Sequence, residues 1–314
     1  MNNPTPLAIV GMGKIAVDQH LPAITDSHAF ELVATVDPSG DTGPGNVASF
    51  ATLGELADSG IAVDAVSVCT PPQVRHDVAQ DAIERGWHVL LEKPPGATLA
   101  EVTALRDMAE RSGTTLFAAW HSRYAAAVEP ARRWLEGRAV RSARITWRED
   151  VRKWHPGQDW IFEPGGFGVF DPGINALSIA THILSRPFFV TEARLEVPAN
   201  RGAPIAAQLS MRDNAGATIA MDLDFLQQGP QSWDIAVETD DGTLVLSEGG
   251  GKLAVDGVSG AAGDDALHGE YPSLYARFAE LLASGTSDVD VAPLRLVADA
   301  FLRGRFVAVD MFDW

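Results

Sequence analysis

Leu7-Ala8-Ile9-Val10-Gly11-Met12-Gly13-Lys14-Ile15-Ala16 is the stretch from which the fold can be read. Four apolar residues ending at a glycine form a short buried strand, and G-x-G-x-x-A directly after it turns the chain into a helix whose N-terminus faces an anionic ligand. Gly11 permits the tight turn, Gly13 lets the backbone approach a pyrophosphate, and Ala16 permits close packing of helix on strand. Lys14 and Ile15 complete the loop. Such a pattern also serves in ordinary strand-to-helix turns. Asp37, at the tip of the next strand in Thr35-Val36-Asp37-Pro38, favours the dinucleotide reading, because its carboxylate can accept both adenosine ribose hydroxyls and would repel a 2′-phosphate. NAD is therefore the expected cofactor, with NADP possible because Lys14 can supply a cation. As an ordinary feature Asp37 would simply start a turn before Pro38.

Outward from this motif, short apolar runs alternate with helical segments. Leu7 to Val10, Glu31 to Val36, Ala65 to Val68, His88 to Leu91 and Thr115 to Ala119 read as strands bounded by Gly, Pro or charged turns. Gln73 to Arg85 and Thr98 to Arg111 read as helices, the second opening on the capping box Thr98-x-x-Glu101. This βαβ order predicts a Rossmann-type doubly wound parallel sheet covered by helices on both faces. After Tyr124 the texture changes. A helix over Glu129 to Leu135 leads into runs joined by short turns, which favour antiparallel pairing: Ala139 to Trp147, Phe188 to Val197, Ile205 to Met211, Ala217 to Phe225, Trp233 to Glu238 and Thr243 to Leu246. Helices over Ile174 to Leu184, Pro272 to Ala283 and Pro293 to Val309 are expected to cover one face. The expectation is an α/β chain of two domains, a dinucleotide-binding domain over 1–123 and a substrate-binding α+β domain with an open, mostly antiparallel sheet over 124–314.

Composition narrows the partners. A chain of 314 residues exceeds what one core usually organises, and 46% hydrophobic residues suffice for two. The formal charge of −18 repels nucleic acid and anionic lipid. The single cysteine, Cys69, excludes an internal disulfide, and no Cys/His cluster has zinc spacing, so no metal is expected. The N-terminal stretch lacks a basic region ahead of its apolar run, and no apolar stretch is long enough to span a bilayer. A cytoplasmic protein without membrane contact is the expectation.

The run Leu90-Leu91-Glu92-Lys93-Pro94-Pro95-Gly96 delivers a lysine at the end of a strand and stops against two prolines. A lysine there can simply reach solvent. In an open α/β sheet, however, ligands lie beyond the carboxyl ends of the strands, which directs Lys93 toward the cofactor cleft. A cis bond before either proline would aim it inward. Cys69-Thr70-Pro71-Pro72 makes a similar lip after the neighbouring strand, with Cys69 a buried filler and His76 structural or cofactor-adjacent.

With these pieces the chain resembles the Gfo/Idh/MocA family of nicotinamide-dependent oxidoreductases over nearly its whole length. The likeness is carried by the glycine motif at 11–16, Thr70-Pro71-Pro72 with His76, Glu92-Lys93-Pro94, and Gly165-Gly166-Phe167-Gly168-Val169-Phe170-Asp171-Pro172-Gly173-Ile174-Asn175. The last run matches the family's D-x-x-x-H helix start, except that Asn175 replaces the histidine. Within the family the chain looks most like bacterial aldose 1-dehydrogenases acting on L-arabinose and D-galactose. That likeness runs through His20-Leu21-Pro22-Ala23-Ile24, Ala119-Trp120-His121-Ser122-Arg123, Trp154-His155-Pro156-Gly157-Gln158 and Phe170 to Ser178.

The resemblance implies oxidation of the anomeric hydroxyl of an aldopyranose (L-arabinose, D-galactose, also D-fucose) to its lactone, with Lys93 contacting that hydroxyl and Asp171 and Asn175 nearby. It also implies cofactor contacts from Gly11, Gly13, Lys14, Ile15, Ala16, Asp37, Thr70, Pro71, His76, Glu92 and Lys93, substrate contacts from His121 and His155, and a homodimer. Chemistry read from the residues agrees. Such an oxidation requires hydride departure to nicotinamide and loss of the O1 proton, which a lysine partly desolvated beside the cationic ring can accept. Asp171 and Asn175, one helical turn apart, can hold one sugar edge, although Asp171-Pro172 also reads as an N-cap followed by proline at N1. Asn175 cannot accept the proton at neutral pH, which leaves Lys93 with Asp171 as its backup. Sugars present apolar faces and hydroxyl edges. Five of the eight tryptophans fall between 120 and 160 and read as an aromatic wall with Trp154 as the contact, and Glu149 and Asp150 as acceptors. Two alternatives stay open: a glycoside hydrolase using tightly held NAD on the same fold, and a nucleotide-dependent binding module without turnover.

Overall fold

The computed structural model describes residues 3–40, 43–45, 47–260 and 269–314. The chain divides into two compact units: Met1–Trp120 with Tyr271–Asp290, and His121–Glu270 with Val291–Trp314.

The first unit is built on six parallel strands: β1 (Thr5–Val10), β2 (Phe30–Val36), β3 (Ala48–Phe50), β4 (Ala65–Val68), β5 (His88–Leu91) and β6 (Leu116–Ala118). Their order is β3-β2-β1-β4-β5-β6, with the direction of winding reversing between β1 and β4. Parallel strands covered on both faces bury every side chain, which is why β4 reads as the unbroken run Ala65 to Val68, all four buried. Ala8, Val66, Val89, Ala79, Ala82 and Leu105 belong to one core cluster in which sheet meets the helices Pro72–Glu84 and Leu99–Ser112. The capping box holds as read, with Thr98 and Glu101 each capping the other's backbone and Gly113 ending the helix in the left-handed region. β3, an edge strand of three residues, is too short to show a pattern in the sequence and was not expected.

The unit is completed from the far end of the chain. The helix Glu270–Ser284 was expected on the second sheet. Instead, from Tyr271 onward it belongs to the Rossmann unit, where Tyr275 and Phe278 pack on Phe30, and Phe278 on Phe117. Amphipathic spacing announces such a helix but not the sheet it covers.

The second unit carries nine strands: β7 (Val140–Arg148), β8 (Phe188–Pro198), β9 (Ala206–Asp213), β10 (Thr218–Asp224), β11 (Ser232–Thr239), β12 (Gly242–Ser247), β13 (Lys252–Val255), β14 (Val258–Ser259) and β15 (Gly304–Val309). Their order is β14-β13-β12-β11-β7-β10-β9-β8-β15, antiparallel except for β7 with β10 and β8 with β15. Strict alternation marks one face as core: Ala143, Ile145 and Trp147 of β7, with Ile219, Met221 and Leu223 of β10, are buried while their neighbours are open. The helices Val128–Leu135, Phe170–Ile183 and Ala292–Arg303 belong to this unit. Here the expectation of a helix from Pro293 to Val309 is corrected. The helix stops at Arg303, and Gly304 opens β15, whose Phe306, Val307 and Val309 suit a strand beside β8. An apolar run continuing past a helix hid the change of element.

Candidate active site

Apart from His76, which lies on the helix Pro72–Glu84, the candidate cofactor residues lie in the segments that leave the carboxyl ends of β1, β2, β4 and β5. Gly11 leaves β1 at φ +91°, and a Cβ there would stand 2.9 Å from Thr70 N and 3.0 Å from the Cys69 carbonyl carbon, so only glycine lets this loop pass the one after β4. At Gly13 no atom of the described residues, its chain neighbours apart, lies within 4 Å of where a Cβ would sit. Packing among the described residues does not require that glycine, whereas the approach of a pyrophosphate would. Beyond the loop the helix contains a π-helical turn, Ala16–His20, a device frequent at functional sites. Lys14 is exposed and paired with Asp18 one turn on. Thr70 Oγ1 is buried and has no hydrogen-bond partner among the described residues, an orphan that a ligand hydroxyl or phosphate would satisfy.

Asp37 does more than was expected of it. Its Oδ2 accepts from the Met12 peptide N–H at 2.7 Å, and its Oδ1 from Ser39 N at 2.8 Å and Ser39 Oγ at 2.5 Å. Partial burial works against its charge, but these bonds from Ser39 and Met12 prevail and hold its carboxyl below the usual range. The carboxylate thus braces the glycine loop, as the turn-forming reading expects, and stays ionised, as a ribose contact would need. The residues present therefore fit a nicotinamide dinucleotide. Ile15 is half-buried and Pro71 exposed, while His76 lies on the helix Pro72–Glu84 beside Asp77 at 3.0 Å.

Lys93 is half-buried at the end of β5, in a strap whose Lys93-Pro94 bond is cis. Beneath it lies a polar network that the sequence reading did not find. Glu92, 2% exposed, turns inward: its Oε2 accepts from the Lys93 peptide N–H at 2.6 Å, and its Oε1 accepts from Tyr271 Oη at 2.6 Å and lies 3.2 Å from His20 Nε2. His20 Nδ1 lies 2.7 Å from Tyr275 Oη, itself 2.8 Å from Ser67 Oγ. Burial works against a charge on His20, but the attraction of Cys69 and Tyr275 and hydrogen bonds with Cys69 and Glu92 outweigh it and raise its pKa well above the ordinary value. Arg75, also buried, donates to the carbonyl of Glu92 at 2.5 Å and to those of Pro94 and Thr70. One guanidinium thereby ties together the loops after β4 and β5. A signal for it existed: Arg75 shares a helical stripe with buried Ala79 and Ala82, where a charge needs partners. Glu92, read as a cofactor contact, here serves to hold the Lys93 backbone.

The second unit assembles its own constellation. The inward parity of β7 continues past Trp147 to Glu149, which is 3% exposed. Gly168, at φ +54° with a Cβ position 2.2 Å from Pro204 O, admits the chain into the helix Phe170–Ile183. Asp171 therefore stands inside the first turn rather than at the cap, 3% exposed, which corrects the N-cap reading. His155, partly exposed, places Nε2 3.4 Å from Glu149 Oε1 and 3.8 Å from Asp171 Oδ2. Asn175 follows one turn after Asp171, half-buried.

Trp154 packs on Trp233 at 5.2 Å, and Trp233 stacks on Trp147 at 6.0 Å while donating its indole N–H to Glu149 at 2.9 Å. The indole nitrogen of Trp154 is buried with no hydrogen-bond partner among the described residues. Of the five clustered tryptophans Trp147 and Trp154 join this group, while Trp120 belongs to the other unit, bonded to the Asp290 carbonyl at 2.9 Å. Trp233 was missed, although alternation sets it on the face of Ile235 and Val237. Asp150 caps the short helix Val151–Trp154 instead of presenting an acceptor. His121, 6% exposed, is bonded to Glu270 at 2.6 Å. Two buried carboxylates converging on an imidazole beside an indole wall form an acceptor-rich surface, suited to a ligand whose hydroxyls donate. Among the described residues no group of side chains could hold a metal ion.

Residues 6–119 match the model of the Gfo/Idh/MocA oxidoreductase family with an NAD-binding Rossmann fold. The chain is 47% identical over 311 residues to a galactose 1-dehydrogenase of Pseudomonas fluorescens, covering 98% of this chain and 99% of that protein. A crystal structure of a D-galactose-1-dehydrogenase from Rhizobium etli is 53% identical and superposes with a TM-score of 0.94, covering 100% of this chain and 99% of that one. A D-xylose 1-dehydrogenase (NADP(+)) of Haloferax volcanii is 27% identical over 248 residues, 75% of this chain and 74% of that protein.

Proposed function

The chain belongs to the Gfo/Idh/MocA family of oxidoreductases, and from that premise we propose that it oxidises the anomeric hydroxyl of D-galactose and of aldopyranoses with the same ring stereochemistry, L-arabinose and D-fucose, to the aldonolactone. The observation that carries the sugar assignment is the cluster Glu149, His155 and Asp171 beside Trp154. The full-length likeness to galactose 1-dehydrogenases supports it.

NAD, held by the glycine loop, Asp37 and Thr70, supplies when bound the acceptor for the hydride leaving C1. Lys93 Nζ takes the O1 proton as the C1 carbonyl forms, and the strap around it limits the directions in which the amine can point. Asp171, Glu149 and His155 orient the hydroxyl edge, Asn175 adds an amide that donates and accepts without taking a proton, and Trp154 packs on the apolar face of the ring. Pentose and hexose differ here by one exocyclic carbon, a difference that changes discrimination only modestly in a pocket open at that position. Cys69, a free buried thiol, fits a reducing cytoplasm, and no helix among the described residues is long and apolar enough to cross a membrane.

Mixing the protein with a panel of aldoses and either nucleotide tests the reading through the absorbance of the reduced cofactor. Galactose should give net reduction, with a higher kcat/KM for NAD than for NADP, and Asp37→Ser should narrow that gap. Equal efficiency with both cofactors would show Asp37 misread. No net reduction with any aldose would favour the hydrolase alternative, in which the cofactor is reoxidised within each turnover.

The exposed face of the nine-stranded sheet, a shallow concavity of 790 Å³ lined by Arg144, Arg194, Gln208, Ser210 and Asp222, is proposed as a homodimer interface. Sedimentation at micromolar concentration should find dimers, and monomer alone would overturn it.

A further inference from the structure

His155 and Trp154 sit on a loop, Val151 to Phe162, that has little regular structure: one helical turn at Val151–Trp154 and a 3₁₀ turn at Asp159–Phe162. What holds it comes from far along the chain. Trp314 Nε1 and Arg201 Nη1 both donate to Asp159 Oδ1, at 2.8 and 2.7 Å. Arg152, on the same loop, donates to the Asp313 carbonyl at 3.0 Å and lies 4.7 Å from the Phe312 ring. Asn200 and Phe312 bond reciprocally, Phe312 N to Asn200 Oδ1 at 2.9 Å and Asn200 Nδ2 to Phe312 O at 3.0 Å. The segment 310–314 has no helix or strand of its own, yet Phe312 is only 4% exposed.

Its rings lead back to the site. Phe312 and Trp314 lie 5.4 and 6.1 Å from Phe162, Phe162 lies 6.2 Å from Phe225, and Phe225 lies 5.8 Å from His155. Phe162 and Phe225 are fully buried, so this is packed interior that transmits displacement rather than absorbing it. We propose that Phe312 and Trp314 are positioning residues for sugar recognition: they clasp the loop so that His155 stands between Glu149 and Asp171. The inference rests on the sugar-site reading above. The clasp touches no reacting atom, so its removal costs binding of the sugar, in ground and transition state alike, and not the chemical step.

The test is steady-state kinetics on Phe312→Ala, Trp314→Ala and His155→Ala, with Phe312→Leu as the conservative control. Phe312→Ala should raise KM for D-galactose by about threefold to tenfold, the span of moderate coupling between packed residues, with kcat and KM for NAD within about twofold. Phe312→Leu should recover most of the loss. Trp314 is partly exposed, so Trp314→Ala keeps the test available should Phe312→Ala not fold, and its effect on KM should vanish in the His155→Ala background. Trypsin should cut faster after Arg152 or Lys153 in both clasp variants. A sugar KM unchanged in folded clasp variants, while His155→Ala raises it, overturns the clasp alone. Unchanged KM in His155→Ala overturns the sugar-site reading, and the clasp with it.

Discussion

Lys93→Met lowers kcat by about two to four orders of magnitude, the usual range for lost acid/base assistance, while affinity for NAD changes little. Methionine keeps the length and volume of the stem and removes only the amine. Glu92 and Arg75 brace the strap through main-chain atoms, the Lys93 peptide N–H and the Glu92 and Pro94 carbonyls, and these bonds survive the change. A lysine that merely reached solvent would leave turnover near normal. Stopped-flow measurement of reduced cofactor on folded variant protein separates the two, and a hydride-transfer rate within a few-fold of wild type would sink the assignment. Asp171→Asn is informative beside it: mild if Asp171 orients the sugar, severe if Asp171 takes the proton.

Glu92→Gln destabilises the folded chain by about 3–5 kcal/mol, the cost of removing one partner of a buried charge pair. His20 and Glu92 are 0% and 2% exposed, so no solvent screens the loss. The dependence on pH has a definite sign. The pKa of His20 is raised in the fold, so its contribution is complete below the ordinary histidine value of about 6.5, and is lost as pH rises through the raised value. Cys69 and Tyr275 supply the larger part of that rise and the Glu92 hydrogen bond a smaller one, and this smaller part makes the gap between wild type and variant wider at pH 6 than in alkaline solution. Urea unfolding at pH 6 and pH 9 measures it, and equal stability of the two proteins at pH 6 would mean that His20 is not held as a cation against Glu92.

How much of this could be read beforehand follows from distance along the chain. The parallel strands were readable because burial on both faces leaves unbroken apolar runs, and the second sheet because one solvated face imposes alternation. Lys93 and Asp37 were singled out because a strand end in this topology places them at the edge where ligands bind. The network under Lys93 was not, since His20 and Tyr275 are 255 positions apart and neither is unusual where it stands. Glu149 was visible as a carboxylate, but its burial shows only when the parity of β7 is followed past Trp147. The alternative reading of Asp171 as a cap arose because Asp-Pro commonly begins a helix. The glycine turn before it begins the helix earlier, and that decision rests on the fit of Gly168 against Pro204, which no local pattern carries.

The return of the chain to the Rossmann unit has a consequence for biosynthesis. A nascent polypeptide that has left the ribosome only as far as Trp120 holds all six parallel strands but lacks Tyr271, Tyr275 and Phe278. Phe30 and Phe117 then have no aromatic cover, and His20, Ser67 and Glu92 lack hydroxyl partners. The first half must wait, incompletely sealed, while some 150 further residues are translated, a span of roughly ten seconds or more at ordinary elongation rates. Folding order and synthesis order are thereby uncoupled: the nucleotide-binding core, begun first, closes only after most of the second sheet has emerged.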